Sequence, residues 1–205
     1  YQNIATGVAS TIHFMYPLAV SLAMMFFFHE KKSLLVMLAV LMSLFGAALL
    51  SSGELEAKSG DTIVGLVAAC ISVFSYGGYI IGVRTTRAAQ INSTVLTCYV
   101  MGMGAVFYLI GAMATSGLHL VTDGYIWLII LGLALPATAI SNITLVRAIK
   151  YAGPTLTSIL GAMEPLTAVV IGVFVFKELF TLNNAIGILL ILLAVGMVVF
   201  RKQKS

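Results

Sequence analysis

Charge is scarce in this chain. Of 205 residues, eleven are Lys or Arg and seven are Asp or Glu, 9% in all, against about 25% in an ordinary soluble domain. So few charges cannot cover a soluble fold of this size, and they stand in short clusters between long apolar runs. A soluble enzyme and a nucleic-acid binder are both excluded. Cysteine is nearly absent: Cys70 and Cys98 lie inside apolar runs, which leaves no disulfide framework and no CxxC redox motif. Catalytic signatures are missing too. His29-Glu30-Lys31-Lys32-Ser33 departs from the HExxH zinc pattern at its fifth position, and the sequence contains no GxSxG elbow or phosphate loop. Its three scattered histidines make no metal cluster. We therefore expect no enzyme activity, no metal and no cofactor. The chain opens Tyr1-Gln2-Asn3 with no Met and no basic stretch, so a signal peptide is not indicated.

What is present is apolar: 60% of residues are hydrophobic and the mean hydropathy is +1.09. Seven runs stand out, at 4–28, 34–52, 62–83, 94–115, 124–148, 154–176 and 182–200. Each reaches the roughly 20 residues that cross about 30 Å of hydrocarbon. The expected fold is an all-α polytopic membrane protein of seven transmembrane helices. The connections are too short for a further domain, so each helix must run antiparallel to the next. Basic residues then set direction. Lys31, Lys32, Arg84, Arg87, Arg147, Lys150, Arg201, Lys202 and Lys204 gather on one side, and only Lys58 and Lys177 on the other. By the positive-inside rule the first side is cytoplasmic. The chain then starts outside and ends inside, and the sequon Asn92-Ser93-Thr94 is a chance match on the cytoplasmic face.

Self-comparison shows an internal repeat. Pro17-Leu18-Ala19-Val20 through His29-Glu30-Lys31 matches Pro165-Leu166-Thr167-Ala168 through Lys177-Glu178-Leu179 at a constant offset of 148, with Ser10 on Ser158 and Ser33 on Thr181. Each copy reads as a helix broken by Pro, a Glu thirteen residues later, and another apolar helix. Five helix starts separate the copies, so they cross the bilayer in opposite directions. Inverted repeats of this kind are tied to secondary transporters with a site near the midplane.

Glu164-Pro165, then Phe176-Lys177-Glu178-Leu179-Phe180-Thr181-Leu182, then Gly187-Ile188-Leu189-Leu190 to Gly196 resembles the repeat ending of the drug/metabolite transporter superfamily, EamA type. The resemblance implies an inverted-repeat transporter fold of ten helices in two five-helix repeats. Residues 61–200 then look like a complete second repeat, 1–53 like the last two helices of the first, and 201–205 like a cytoplasmic basic tail. Three further helices would lie upstream of Tyr1. The resemblance also implies a cell membrane, of the bacterial inner-membrane kind.

Glu164 is the acidic residue deepest within a span. Its helix begins near Pro154, so ten residues at 1.5 Å place it about 15 Å in, near the midplane. An intramembrane carboxylate is costly and marks a site by default: a proton carrier, a cation-binding group, or a structural carboxyl at a kink. His13 lies about 13 Å into its own span from the opposite direction, as a packed residue or a ligand. Tyr16 is the repeat counterpart of Glu164. Pro17, Pro136 and Pro165 are expected hinges, freeing the carbonyls of His13, Gly132 and Gly161. Ser72, Ser75, Tyr76 and Tyr79 share one face of the third span, and Thr138, Ser141 and Asn142 one face of the fifth. In the resembled family these spans, with those of His13 and Glu164, line the substrate cavity. Such stripes also serve as glue between helices. Gly78 and Gly82 suggest close helix packing, Arg84 and Arg147 snorkelling, and Glu30 and Glu178 helix capping.

The expected function is secondary transport of small metabolites, such as amino acids or related compounds, by alternating access. Export is the expected direction, with the lipid bilayer as surroundings and proton coupling at Glu164 permitted. A seven-helix receptor is the alternative. A retinal protein would need a Lys in the last span, and 182–200 has none.

Overall fold

The computed structural model describes residues 3–4, 6–30, 33–51, 61–115, 121–161, 163–174 and 180–203. Lys31, Lys32, Lys58, Lys177 and Glu178 lie outside the described residues, so their expected sides and caps are not addressed. Among the described residues there is helix and no strand. In chain order these are α1 (Thr6–His13), α2 (Tyr16–Phe26), α3 (Leu34–Ser51), α4 (Thr62–Thr85), α5 (Ser93–Ala114), α6 (Gly124–Gly132), a π segment (Leu133–Ile140), α7 (Ser141–Ala152), α8 (Pro154–Leu160), α9 (Met163–Phe174) and α10 (Leu182–Gln203). Taken with their continuations, five stretches are long and apolar enough to cross a membrane: Val8–Phe26, Thr62–Thr85, Ser93–Ala114, Gly124–Ala152 and Pro154–Ile171. Leu34–Leu50 and Leu182–Met197 are shorter apolar helices, about 25 Å long at 1.5 Å per residue. Helix is the form that satisfies every backbone group internally when water is absent.

The breaks follow local chemistry. Met15 and Pro17 interrupt the first span, and Pro165 follows the break between α8 and α9, because Pro lacks an N–H and crowds the preceding turn. Asn92 and Asp123 start α5 and α6 by accepting the N–H groups of Thr94 and Tyr125 at 2.9 and 2.8 Å. Gly153, at φ 93°, joins α7 to α8 in a conformation that side-chain-bearing residues rarely adopt. The expected basic tail is in part a continuation of α10, which runs to Gln203.

The chain forms two compact units. The first comprises residues 1–82 and 152–205. Its core joins Met25, Val36, Ala39, Val40, Ile159 and Ala194, from α2, α3, α8 and α10. The α3–α10 pair is the tightest seam. A Cβ at Gly46 would meet the Gly187 carbonyl at 2.8 Å, and one at Gly187 would meet the Gly46 carbonyl at 2.8 Å. Gly187 also faces Leu50, while Ala194 belongs with Ala39 and Val40. Partner numbers fall along α10 as they rise along α3, so these two helices run antiparallel. Gly65 of α4 similarly receives Ile4. Among the described residues Gly78 and Gly82 do not serve the expected close packing: added Cβ atoms would meet none of them within 4 Å.

The second unit spans Val83–Tyr151. Arg84 donates to the Lys150 carbonyl at 2.6 Å, and the Lys150 ammonium donates to the Ile91 carbonyl. Arg84 is thus engaged at the end of α7 rather than merely extended to solvent. Most of the large side chains of α5 and α6 are exposed: Phe107 69%, Tyr108 85%, Leu128 70%. Apolar surface on that scale suits lipid contact, because hydrocarbon tails replace water at no hydrophobic cost.

Candidate functional site

Four helical pieces of the first unit bring polar groups together. α1 ends at His13, and α2 begins at Tyr16. Across from them α4 presents Ser72, Tyr76 and Tyr79, at helical steps of four and three that place all three on one face. The rings pack directly. His13 lies 5.6 Å from Tyr16 and 5.4 Å from Tyr76, centroid to centroid. Tyr16 and Tyr76 meet edge to face at 4.7 Å and 87°, the quadrupole-favoured geometry. Tyr79 stacks on Tyr76 at 6.4 Å and 25°. His13 Nδ1 and Ser72 Oγ stand 3.0 Å apart. Glu164 brings a carboxyl from α9, just after Gly161, whose carbonyl accepts the Glu164 N–H at 2.9 Å and beside which the Tyr16 hydroxyl sits.

Burial divides the cluster into a packed part and an open part. Tyr16 is only 1% exposed, whereas His13, Tyr76 and Tyr79 are half-buried and Glu164 is exposed on the chain taken alone. The Tyr16 hydroxyl occupies the space beside Gly161 that a Cβ would take. Gly161 is therefore the small residue that lets the Tyr16 ring reach the break between α8 and α9. Its repeat counterpart is His13, at the same offset that pairs Tyr16 with Glu164.

Of the expected site residues, His13, Tyr16, Tyr76, Tyr79 and Glu164 gather here, together with the hinge residues Pro17 and Pro165, which are buried. Ser75 lies on α4 but is exposed. Thr138 and Asn142 belong to the second unit, where they serve their own backbone. Thr138 Oγ1 donates to the Leu133 carbonyl at 2.9 Å, and Asn142 Nδ2 donates to the Thr138 carbonyl at 2.8 Å. Pro136 sits inside the π segment, whose wide turn leaves carbonyls that such side chains can satisfy.

One expectation needs correction. Pro165 does not leave the Gly161 carbonyl unpaired, because the Glu164 N–H donates to it at 2.9 Å in a tightened turn. Glu30 has a partner that the sequence did not indicate. Its Oε2 accepts the Thr155 hydroxyl at 2.5 Å, linking the end of α2 to the start of α8. The Ser72 and Gly161 contacts were not foreseen, although Ser72 stood in the α4 stripe and the offset that pairs Tyr16 with Glu164 also pairs His13 with Gly161. No group of three or more His, Cys, Asp or Glu that could hold a metal occurs among the described residues.

This polar cluster lies within segments apolar enough to cross a membrane, and the EamA-like transporter family matches residues 63–200, well over half of the chain. The chain belongs to the EamA-like transporter family. Membership makes it a helical integral membrane protein and a membrane transporter of the drug/metabolite type, in a family that is generally non-enzymatic. No curated protein matches the chain. The family match runs from the second residue of α4 into α10, so it includes Ser72, Tyr76, Tyr79 and Glu164. His13 and Tyr16 precede it.

Proposed function

We propose that this EamA-like transporter exports small metabolites bearing an ammonium group, such as amino acids or related compounds, by alternating access. Glu164 is the fixed charge of its midplane site. The observation that carries this reading is that Glu164 follows the turn at Gly161, against which the Tyr16 hydroxyl of the His13–Tyr16–Tyr76 ring cluster packs. A carboxyl about 15 Å deep needs polar company or water, and here the Tyr16 phenol lies at the turn just before it. Carboxylate and aromatic faces together suit a cation, by charge and by the ring quadrupole. The same carboxyl can carry a proton in exchange. Tyr16 and Glu164 hold equivalent places in the two inverted copies, which is where alternating access requires its site. The antiparallel α3–α10 seam supports the same assignment. These helices close residues 1–53, the last two helices of the first repeat, and 61–200, the complete second one. The membrane is a bacterial inner membrane, with the start of this chain outside and residues 201–205 in the cytoplasm.

The test is uptake of a labelled amino-acid mixture by proteoliposomes of the full-length protein. Glu164→Gln is expected to lower uptake at least tenfold, or to abolish its dependence on pH between 5 and 8, without loss of thermal stability. Normal transport by Glu164→Gln over that range would reject Glu164 as the site.

A further inference from the structure

We infer that Ser72 is a positioning residue that fixes the tautomer of His13, holding the proton on Nδ1 and leaving Nε2 as a hydrogen-bond acceptor. Among the described residues Ser72 Oγ has two hydrogen-bond neighbours, the Ala69 carbonyl at 2.7 Å and His13 Nδ1 at 3.0 Å. A hydroxyl carries one hydrogen. If that hydrogen pointed at His13, two oxygen acceptors would face each other at 2.7 Å with nothing between them. The Ala69 carbonyl can only accept, so the hydroxyl donates to it. Ser72 then has lone pairs alone to offer the imidazole, and His13 Nδ1 must donate.

The bond acts on orientation as well as protonation. It runs from α1 to α4, between residues 59 apart in the chain, and it holds the ring against both Tyr16 and Tyr76. In the neutral ring Nδ1–H leaves Nε2 bare. A bare nitrogen suits a ligand that donates, such as an ammonium group, and so matches the charge of Glu164. With the opposite tautomer the ring would present N–H, and His13 would repel the same ligand. In this respect the inference rests on the cluster being the substrate site, whereas the tautomer can be read without transport.

The experiment is 15N solid-state NMR of the full-length protein in lipid bilayers, with His29 and His119 replaced by Gln, at about pH 8. That is above the ordinary histidine pKa of about 6.5. We expect His13 Nδ1 to give the protonated-type resonance and Nε2 the bare type. In Ser72→Ala the Nδ1-protonated signal should fall from dominant to minor, and Ser72→Thr should restore it. A dominant Nε2–H resonance in the protein with Ser72 intact would overturn the inference, as would a Ser72→Ala spectrum identical to it. Normal uptake by Glu164→Gln would remove the substrate-site reading and leave the tautomer result standing.

Discussion

A single missing methyl lets the start of α2 meet the break between α8 and α9. The Tyr16 hydroxyl fills the place of a side chain at Gly161, so Gly161→Ala must displace a ring that is only 1% exposed. Overpacking of this kind costs about 1–3 kcal/mol. Gly161→Ala is expected to lower the thermal midpoint in detergent, and adding Tyr16→Phe, which removes the hydroxyl, to recover much of the loss. If the double variant is no more stable than Gly161→Ala, the contact is not the cause. Glu164, His13 and Tyr16 could be picked from the sequence because intramembrane polar groups are costly and a mid-span Pro leaves a mark. The bond between Ser72 and His13 could not. Periodicity puts Ser72 on the right face of α4, but which helix that face meets depends on packing between segments nearly 60 residues apart. On the fifth span, Thr138 and Asn142 bond to carbonyls of their own π segment, a local use that periodicity does not distinguish from cavity lining.

The helices differ in how firmly they are joined. Along α3 and α10 the backbones nearly touch at Gly46 and Gly187, with Ala39, Val40, Ile191 and Ala194 fully buried around them. Gly187→Leu would drive a large side chain into the Gly46 carbonyl and Leu50. It is expected to destabilise the protein by about 1–3 kcal/mol or more, seen as a lower thermal midpoint and early aggregation. The α2–α8 seam is more polar. Thr155 reaches Glu30 across it, and the buried hydroxyls Ser21 Oγ and Thr157 Oγ1 have no hydrogen-bond partner among the described residues. An unsatisfied buried hydroxyl costs about 1–3 kcal/mol, so Thr157→Val, close in shape, is expected to raise the thermal midpoint. A lower midpoint would mean that Thr157 has a partner in the membrane-embedded protein. Helix positions were legible from hydropathy to within a few residues, and five of the seven expected runs are long and apolar enough to cross a membrane. The Gly46–Gly187 seam was not, since the sequence offered Gly78 and Gly82 as the better small-residue pair and said nothing of which glycines face a neighbour.

For the whole molecule, composition alone identified a membrane protein, because 9% charge excludes any other solvent for this chain. The proposed orientation places residues 84–92 and 201–205 in the cytoplasm. In a full-length protein free of Cys70 and Cys98, both of which are exposed, single cysteines at 87 and 203 should resist a membrane-impermeant thiol reagent in sealed cells and react after lysis. External labelling of either would reverse the orientation. The central claim is narrower: Glu164 faces a water-filled path through the bilayer, not lipid. A charged thiol reagent tests it most directly, because thiolates form and react in water and scarcely at all in hydrocarbon. In the same background, Glu164→Cys is to be compared with Phe107→Cys, whose native side chain is exposed on the apolar face of α5. We expect the cysteine at 164 to react at least tenfold faster than the one at 107 in open membranes, with the rate changing when Gly161→Ala alters the hinge. Equal, slow rates at the two positions would show that Glu164 meets lipid and would contradict the account.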